Sequence, residues 1–329
     1  MSSPTVKFLV TGSTSGLGAS VLDTLYKKSL SPSAPFSPSD IAASSSRPEA
    51  AAKLQESYPG TQFRVVDYND RETLTRAFAG VEKLLFVSSP EIDVPKRQIQ
   101  HANVVDEAVK AAVGHVYYTS LAFGGYGSDS KSVVQLAHLT TEELLQKSGI
   151  PYTSVREGVY ADAFPVYVSW YPDTTKIFLP IDGSVALASR DELGEATANL
   201  MLRDPSTLPL KNDSNIVLLT GARTYTFTEV VAAISKGLGK EITIERIAAE
   251  QYSEIQAVED AKPGHGGKPK AFFDIWYSLL ESVGKGEVST VDPLFGELLG
   301  REPKDAMEHI VELVRDGALR GGYTWHQNY

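Results

Sequence analysis

Thr11 to Gly18, with the sequence TGSTSGLG, contain the residues whose types and spacing point most directly to chemistry. They lie between an apolar run and a pattern of helical spacing, which predicts a strand, a turn and a helix. Glycines here would allow a sharp turn, close approach of a diphosphate and tight helix packing, and the helix N–H groups would attract phosphates. The alternative is a turn that only serves packing. The predicted dinucleotide turn comprises Thr11, Gly12, Ser13, Thr14, Ser15, Gly16, Leu17 and Gly18.

Ser46 and Arg47 follow the second predicted strand, where the type of nicotinamide cofactor is decided. In an NAD site a carboxylate here accepts hydrogen bonds from the ribose hydroxyls, and it would repel a 2′-phosphate. The segment 44–47 has three serines and an arginine but no acid. Serine hydroxyls can donate to phosphate, and a guanidinium can pair with it through two hydrogen bonds. We therefore predict NADP(H), and the alternative is that Arg47 is a solvated surface charge.

Polar residues also occupy the ends of later predicted strands. Ligands of doubly wound folds bind at the carboxyl edge of the sheet, so these residues are further candidates for contacts with the cofactor. Each could instead be ordinary turn chemistry. We expect Asp67 and Tyr68 near the adenine, Ser88, Ser89 and Pro90 near the ribose, and Thr119 near the nicotinamide.

No tyrosine–lysine pair four residues apart, which would supply a proton donor, is found after the fifth predicted strand. Tyr126 and Lys131 are one residue too far apart to meet on a helix face, and glycines around Tyr126 favour a loop. Proton delivery would then come from water or from one side chain. His138 is the first candidate because histidine exchanges protons near neutral pH, and the alternative is a structural histidine. Tyr160 and Ser120 are the second and third candidates.

Aromatic residues of the second half could line a flat, apolar substrate pocket. Their mixed spacing is also compatible with core packing, which we expect for some of them. The substrate candidates are Phe123, Phe164, Trp170 and Trp276.

The elements that must position these residues alternate between strand and helix over the first half of the chain. Strands are predicted at 6–11, 40–44, 63–67, 83–88, 115–119 and 152–156, with helices such as 19–28 and 96–112 between them. Parallel strands need crossover connections, so this alternation predicts an α/β, doubly wound parallel sheet of the Rossmann type. Beyond it the pattern loosens, with helices near 191–202, 229–238 and 271–283, which indicates a smaller C-terminal α+β lobe.

Composition limits the function classes. The 329 residues carry a formal net charge of −10 and no basic patch, which disfavours nucleic-acid binding. The absence of cysteine excludes disulfides and thiolate metal sites, and we expect no metal. No secretion signal or membrane-spanning run is visible, so the expected location is cytoplasmic.

These residues resemble the NmrA-like, atypical branch of the short-chain dehydrogenase/reductase superfamily. Within that branch the likeness is greatest to triphenylmethane reductases and NADPH quinone reductases, and 298–310 is similar to fungal ergot-alkaloid reductases of specialised metabolism. The resemblance covers most of the chain and lies in the glycine turn, Val65–Asp70, Ala77–Pro90, His101–Ser120, Leu136–Phe164, Arg190–Leu193 and Thr226–Val230.

The resemblance implies a Rossmann domain at 1–158, with about 185–220 added, and a substrate-binding lobe at 159–184 and 221–329. It implies an NADPH-dependent reductase that transfers hydride to a small conjugated or electron-poor acceptor, such as a quinone, an imine or an iminium. The alternative is a non-catalytic NADP-binding redox sensor of the NmrA type. The expected partner is a small-molecule substrate, with no nucleic acid or membrane, and the protein would be a monomer or homodimer.

Overall fold

The chain begins as a regular alternation of strands and helices in the computed structural model, which describes residues 5–91, 93–208, 210 and 214–324. In chain order these elements are β1 (Val6–Val10), α1 (Gly16–Ser29), β2 (Ile41–Ser45), α2 (Ala50–Ser57), β3 (Gln62–Val65), α3 (Arg71–Phe78), β4 (Val81–Phe86), α4 (Val94–Lys110), β5 (His115–Leu121), α5 (Val133–Ser148) and β6 (Tyr152–Glu157).

After β6 the strands become shorter and the order less regular. The elements are β7 (Val159–Tyr160), α6 (Phe164–Tyr167), β8 (Lys176–Leu179), β9 (Ser184–Val185), β10 (Leu187–Ala188), α7 (Arg190–Leu202), β11 (Ile216–Leu219), β12 (Tyr225–Thr226), α8 (Phe227–Leu238), β13 (Thr243–Arg246), α9 (Tyr252–Asp260), α10 (Lys270–Gly284), α11 (Leu294–Leu299) and α12 (Ala306–Ala318).

Seven of the strands form one sheet in the order β3-β2-β1-β4-β5-β6-β11. The pairings from β3 through to β6 are parallel. The Ser154 N–H donates to the Asn215 carbonyl, and the Gly158 N–H donates to the Leu219 carbonyl. The residue numbers of donor and acceptor increase together, so β11 is parallel to β6. The strand order reverses at β1, which lies between β2 and β4. In doubly wound folds the crevice at the carboxyl ends of such strands is the place where ligands bind.

The apolar runs of the sequence explain why these strands are central. Phe8, Leu9 and Val10 of β1 are buried, and so are Leu84 to Phe86 of β4, as expected for parallel strands that are covered on both faces. One face packs on apolar side chains of α3, α4 and α5 to form a single core cluster. Each large apolar side chain buried there stabilises the fold by ~1.5–3 kcal/mol.

The chain divides into two compact units. The first contains residues up to 121, 137–157 and 191–217, and the second contains 122–136, 158–190 and 218 onward. Within the second unit β7 pairs with β10, β9 with β12 and β8 with β13. The two units alternate along the chain, and the predicted domain boundaries stay a prediction. No helix of the described residues is long and apolar enough to cross a bilayer.

The predicted doubly wound α/β fold is confirmed, and most element bounds differ from the predicted ones by one to three residues. The N-cap of α3 is Asp70, whose carboxylate accepts from the Glu72 N–H. The side chain of the preceding residue, Asn69, donates to Asp67 at a distance of 3.1 Å.

Candidate functional site

A cavity of about 570 Å³ lies in the first unit, where β1, β2, β3 and β4 end. Its volume falls within the range of small-molecule and cofactor sites, ~300–1,000 Å³. Most of its lining residues follow a strand directly or within a few positions. They are Thr11, Gly12, Thr14, Ser45, Ser46, Arg47, Val66, Asp67, Tyr68, Asn69, Val87, Ser88, Ser89, Pro90, Glu91 and Gln100.

The glycines of the turn after β1 have conformations or contacts that other residues would not tolerate. Gly12 and Gly16 have φ angles of 64° and 59°, in the left-handed region that favours glycine. A Cβ on Gly18 would lie 2.5 Å from the carbonyl oxygens of Thr11 and Gly12. Gly12 and Gly16 therefore shape the turn and Gly18 allows its close packing, while the approach of a diphosphate stays a prediction.

The N-terminus of α1 presents main-chain donors. Ser15 is the N-cap, its side chain makes no capping hydrogen bond, and no acidic residue lies in the first turn. Helix N–H groups without intrahelical partners carry partial positive charge and bind phosphate well. The residues present thus fit the diphosphate of a dinucleotide.

The side chains of Thr11 and Ser13 hold the turn itself. The Thr11 hydroxyl donates to the Leu85 carbonyl at 2.9 Å and accepts the Val87 N–H at 2.8 Å. The Ser13 hydroxyl donates to the Val10 carbonyl and accepts the Ser44 N–H. Both residues are buried, so we assign their side chains to positioning of the turn.

Tyr68 forms part of the cavity wall while its hydroxyl is directed into the protein. The hydroxyl lies 2.7 Å from both Thr11 Oγ1 and the Val87 carbonyl oxygen. Burial raises its pKa, so the phenol remains neutral. Asp67, on the same wall, accepts hydrogen bonds from the main-chain and side-chain nitrogens of Asn69.

Ser46 and Arg47 lie at the exposed rim of the cavity, directly after β2. The Arg47 main-chain N–H donates to the Ser45 hydroxyl at 3.1 Å, which shapes the turn. Neither Ser45, Ser46 nor Arg47 is acidic, so this part of the rim carries one positive charge and hydroxyl groups. Such a rim attracts a phosphate and does not repel it.

Ser88 is held by residues on two other elements, β5 and α4. Its N–H donates to the Thr119 hydroxyl at 2.9 Å. Its hydroxyl oxygen accepts from Arg97 Nη2 at 2.5 Å and lies 3.3 Å from the Tyr118 hydroxyl. Thr119, predicted to lie near the nicotinamide, therefore orients Ser88 and is not among the lining residues.

His138 is buried, and its hydrogen bonds define its proton. Arg97 Nη2 lies 2.9 Å from His138 Nε2, and a guanidinium can only donate, so Nε2 accepts. The ring proton is then on Nδ1, which donates to the Tyr118 hydroxyl at 2.9 Å. Burial first, and the Arg97 charge second, lower the His138 pKa well below its ordinary value. A neutral histidine with both nitrogens engaged is a poor proton donor, so we assign it a positioning role.

Ser120 lies inside a buried ionic network. Its hydroxyl donates to Glu142 Oε1 at 2.7 Å, and the Ser154 hydroxyl donates to the same oxygen at 2.6 Å. Arg156 Nη2 pairs with Glu142 Oε2 at 2.6 Å. Ser120 is 1% exposed, so its hydroxyl stabilises the buried carboxylate and we do not retain it as a proton donor.

The remaining predicted side chains belong to the second unit. Tyr160 ends β7 and is partly exposed, which keeps it as a candidate. The Tyr126 hydroxyl donates to Asp292 Oδ2 at 2.7 Å, which separates Tyr126 from any pairing with Lys131.

Phe123, Phe164 and Trp170 are almost fully buried. Phe164 stacks on Tyr323 with ring centroids 5.2 Å apart, so its ring forms core. Trp276 is partly exposed. Its ring stacks with the rings of Tyr167 and Phe272, whose centroids lie 6.3 and 5.8 Å from its own. Of the four substrate candidates, Trp276 is thus the one that retains an accessible ring.

Ten of the sixteen predicted cofactor residues line the cavity. The others either form the helix start behind it, as Ser15 to Gly18 do, or support lining residues, as Ser13 and Thr119 do. Sequence reasoning missed several lining residues, although most are direct neighbours of predicted ones, and it missed the supporting residue Arg97 entirely. The missed lining residues are Ser45, Val66, Asn69, Val87, Glu91 and Gln100.

Known proteins match this chain over nearly its full length. The sequence model of the NmrA-like family matches residues 4–264. The NmrA-like family domain-containing oxidoreductase flvB of Aspergillus flavus is 41% identical over 329 residues, which are 98% of this chain and 99% of the relative.

Two solved structures have the same fold. Triphenylmethane reductase of Citrobacter sp. in complex with NADP(H) is 30% identical, with 93% of this chain and 99% of that chain covered and a TM-score of 0.73. The NADPH-dependent quinone oxidoreductase QOR2 of Escherichia coli in complex with NADPH is 26% identical, with 93% and 99% covered and a TM-score of 0.75.

Proposed function

We propose, from the premise that the chain belongs to the NmrA-like family, that it reduces a small conjugated or electron-poor organic acceptor with NADPH. The chain is an NADP-dependent oxidoreductase of that family. The acceptor class is a quinone, an imine or iminium, or a related specialised metabolite. The observation that carries the proposal is the cavity at the β1/β4 switch point, which is lined by the turn that leads into α1 and has a rim free of acid next to β2.

The residues of the cavity fit the parts of NADPH. The N–H groups of α1 would hold the diphosphate, because no side chain caps them and no acid lies in the first helical turn. Ser46 and Arg47 would hold the 2′-phosphate, and Asp67 with Tyr68 would lie along the adenine. Ser88, fixed by Arg97 and Thr119, retains a hydroxyl proton that it can donate to a ribose hydroxyl. Bound there, NADPH supplies the hydride.

Little acid catalysis is required of the protein. An electron-poor acceptor takes hydride readily when it is held against the nicotinamide carbon, so positioning supplies much of the rate. His138 and Ser120 are both neutral, buried and already engaged in hydrogen bonds. We therefore assign proton delivery to water or to Tyr160. Trp276, whose side chain is partly exposed, is the aromatic substrate contact in this proposal. The partner is a small molecule, and we expect a cytoplasmic monomer or homodimer.

A panel of acceptors tests the function. The purified protein is mixed with NADPH and, in turn, a quinone, an imine and a cationic triphenylmethane dye, and the loss of nicotinamide absorbance is followed. We expect turnover with at least one class and much slower turnover with NADH. Heat-inactivated protein is the control. Tight NADPH binding without turnover on any acceptor would favour a regulatory sensor of the NmrA type instead.

A further inference from the structure

Gln100 on α4 lines the cavity of the first unit, and its side-chain amide is only partly used by the protein. The residue is 9% exposed, and the amide makes one hydrogen bond with Ser89 and one with Asn69. A glutamine amide has two N–H donors and an oxygen with two lone pairs. One N–H and one lone pair of Gln100 therefore remain unused among the described residues, in a side chain at the cavity wall.

The orientation of this amide is fixed first through Asn69 and Asp67, which also line the cavity. Asp67 Oδ1 accepts the Asn69 main-chain N–H at 2.9 Å and the Asn69 side-chain nitrogen at 3.1 Å. Because a carboxylate oxygen accepts hydrogen bonds, the Asn69 amide turns its nitrogen to Asp67 and leaves its oxygen for another donor. That oxygen lies 3.1 Å from Gln100 Nε2, which therefore donates to it.

The other side of the Gln100 amide is fixed through Ser89. The Glu91 N–H donates to the Ser89 hydroxyl oxygen at 3.2 Å, so the proton of that hydroxyl is free to point elsewhere. The hydroxyl donates it to Gln100 Oε1 at 2.5 Å. The oxygen and nitrogen of a side-chain amide are assigned from such partners, and here both neighbours give the same assignment.

The residues around Gln100 also keep its amide rigid. Ser89 is 6% exposed, and its main-chain N–H donates to His101 Nε2 at 3.0 Å. Burial lowers the pKa of His101 to about 3, so the ring stays neutral and keeps accepting this bond. A side chain that is held in one rotamer before binding loses little conformational entropy when a ligand arrives. Gln100 is thus a preorganised amide with one donor and one acceptor to offer.

Such an amide is complementary to adenine. Adenine has an amino donor at C6 beside the acceptor N7, and a single glutamine amide can pair with both. A purine with an oxygen at C6 would instead direct an acceptor at the amide oxygen. In doubly wound dinucleotide sites the end of β2 holds the ribose of the adenosine half. The strand next to β2 in the sheet is β3, and Asp67 and Asn69 follow it directly.

We propose that Gln100 selects the adenine base of the cofactor and that Ser89 and Asn69 position its amide for this role. This inference rests on the proposed function, in which NADPH binds in this cavity. The amide oxygen of Gln100 would accept from the 6-amino group, and the amide nitrogen would donate to a ring nitrogen of the base. The ligand class is therefore a dinucleotide of a 6-aminopurine.

Two dinucleotides that differ only in the purine test the proposal. Deamino-NADPH contains hypoxanthine, which has an oxygen at C6, in place of adenine. The fluorescence of the dihydronicotinamide gives both dissociation constants by the same titration, without an acceptor and without turnover. We expect wild type to bind NADPH about 10- to 100-fold more tightly than deamino-NADPH. In Gln100→Met, which keeps the length of the side chain, NADPH binding should weaken until this ratio is about 2 or less.

Two further variants sharpen the test. Gln98→Met is the matched control, because Gln98 lies on the same helix and is exposed. Its ratio of affinities should equal that of wild type. Ser89→Ala removes the hydroxyl that fixes the amide oxygen, so the Gln100 amide can turn over. The ratio should then fall by a smaller factor than in Gln100→Met.

The ratio of affinities separates base selection from a purely structural role. If Gln100 only stabilised the fold, Gln100→Met would lower the unfolding midpoint or weaken both dinucleotides equally, and the unchanged ratio would overturn the proposal. Equal binding of the two dinucleotides to wild type would overturn it as well and leave the proposed reductase function intact. Binding of neither dinucleotide to wild type would contradict the cofactor site itself, so the proposed function and this inference would fail together.

Discussion

The turn after β1 and the first turn of α5 both bury hydroxyl groups, but they use them in opposite ways. Thr11 is 1% exposed, and its hydroxyl both donates to Leu85 and accepts from Val87. Ser132 is 0% exposed, and its hydroxyl has no partner among the described residues. The first region is saturated internally, whereas the second keeps its hydrogen-bonding capacity.

The difference separates two uses of a buried hydroxyl. The turn after β1 offers main-chain N–H groups and uses its side chains to hold that main chain in place. At the start of α5 the Ser132 and Gln135 side chains are unpaired among the described residues, and hydrogen bonds of the preceding segment hold the main chain. The turn requires glycine at fixed positions, whereas the start of α5 has no such requirement.

Gly18→Ala should have the largest effect, because it distorts the turn after β1 and the N-terminus of α1. The added Cβ would lie 2.5 Å from two carbonyl oxygens of the turn, so the turn or α1 must shift. We expect NADPH affinity to fall about 100-fold or more, equivalent to ~3 kcal/mol, as measured by fluorescence titration. Gly296→Ala is the control, since a Cβ there meets only ordinary contacts. Equal affinities for wild type and Gly18→Ala would mean that the turn does not hold the diphosphate.

Thr11→Val and Ser132→Ala compare a buried hydroxyl that is hydrogen-bonded with one that has no partner among the described residues. Thr11→Val leaves the Val87 N–H without its acceptor, so urea unfolding should show a loss of ~2–3 kcal/mol. Ser132→Ala breaks no hydrogen bond made by its side chain, so its free energy of unfolding should stay within ~0.5 kcal/mol of wild type. A large loss in Ser132→Ala would show that the Ser132 hydroxyl is paired in solution.

Arg47→Ala tests the exposed rim of the cavity next to β2. We expect NADPH binding to weaken about tenfold, or ~1.4 kcal/mol, because an exposed guanidinium pairs with the 2′-phosphate through screened hydrogen bonds. NADH binding should not change. Lys53→Ala removes an exposed positive charge from α2 and should affect neither dinucleotide. A parallel loss for both dinucleotides would remove Arg47 from phosphate recognition.

The sequence could predict the sheet and the turn after β1 because both depend on local patterns. Apolar runs alternating with helical spacing indicated the strands and helices of a doubly wound sheet, and the glycines of the turn occupy backbone conformations and close contacts that are specific to glycine. The residues that end strands were found for the same reason, since a strand and its end are visible in the sequence.

The remaining features of the site could not be predicted, because they depend on contacts between residues that are distant in the sequence. Arg97 is a helix residue with no motif, and its role follows from its contacts with Ser88 and His138, 9 and 41 positions away. His138 was expected to exchange protons because of its ordinary pKa, but burial and the nearby guanidinium lower that pKa. Among the described residues the Gln135 amide has no hydrogen-bond partner, which is likewise a property of the folded chain and not of its sequence pattern.

Glu157 is an intermediate case and gives the smallest predicted effect. Its Oε1 accepts from the Thr197 hydroxyl at 2.9 Å, while its buried Oε2 has no partner within the part of the chain that the structure describes. Burial raises its pKa from 4.5 to about 8. Between these values the folded state retains a proton that the unfolded state releases, so the free energy of unfolding decreases as pH rises.

Glu157→Gln removes that proton equilibrium while keeping the shape of the side chain. We expect the stability of the variant relative to wild type to increase by about 1 kcal/mol between pH 6 and pH 7, close to the limit for one titrating group. Urea unfolding at the two pH values measures it, and Glu143→Gln, an exposed neighbour on α5, should show no such change. A difference that stays constant with pH would mean that Glu157 is ionised in the folded protein. The Glu157 Oε2 would then accept a hydrogen bond in solution. The single hydrogen bond that the structure shows for this carboxylate would then have no measurable effect on the free energy of unfolding.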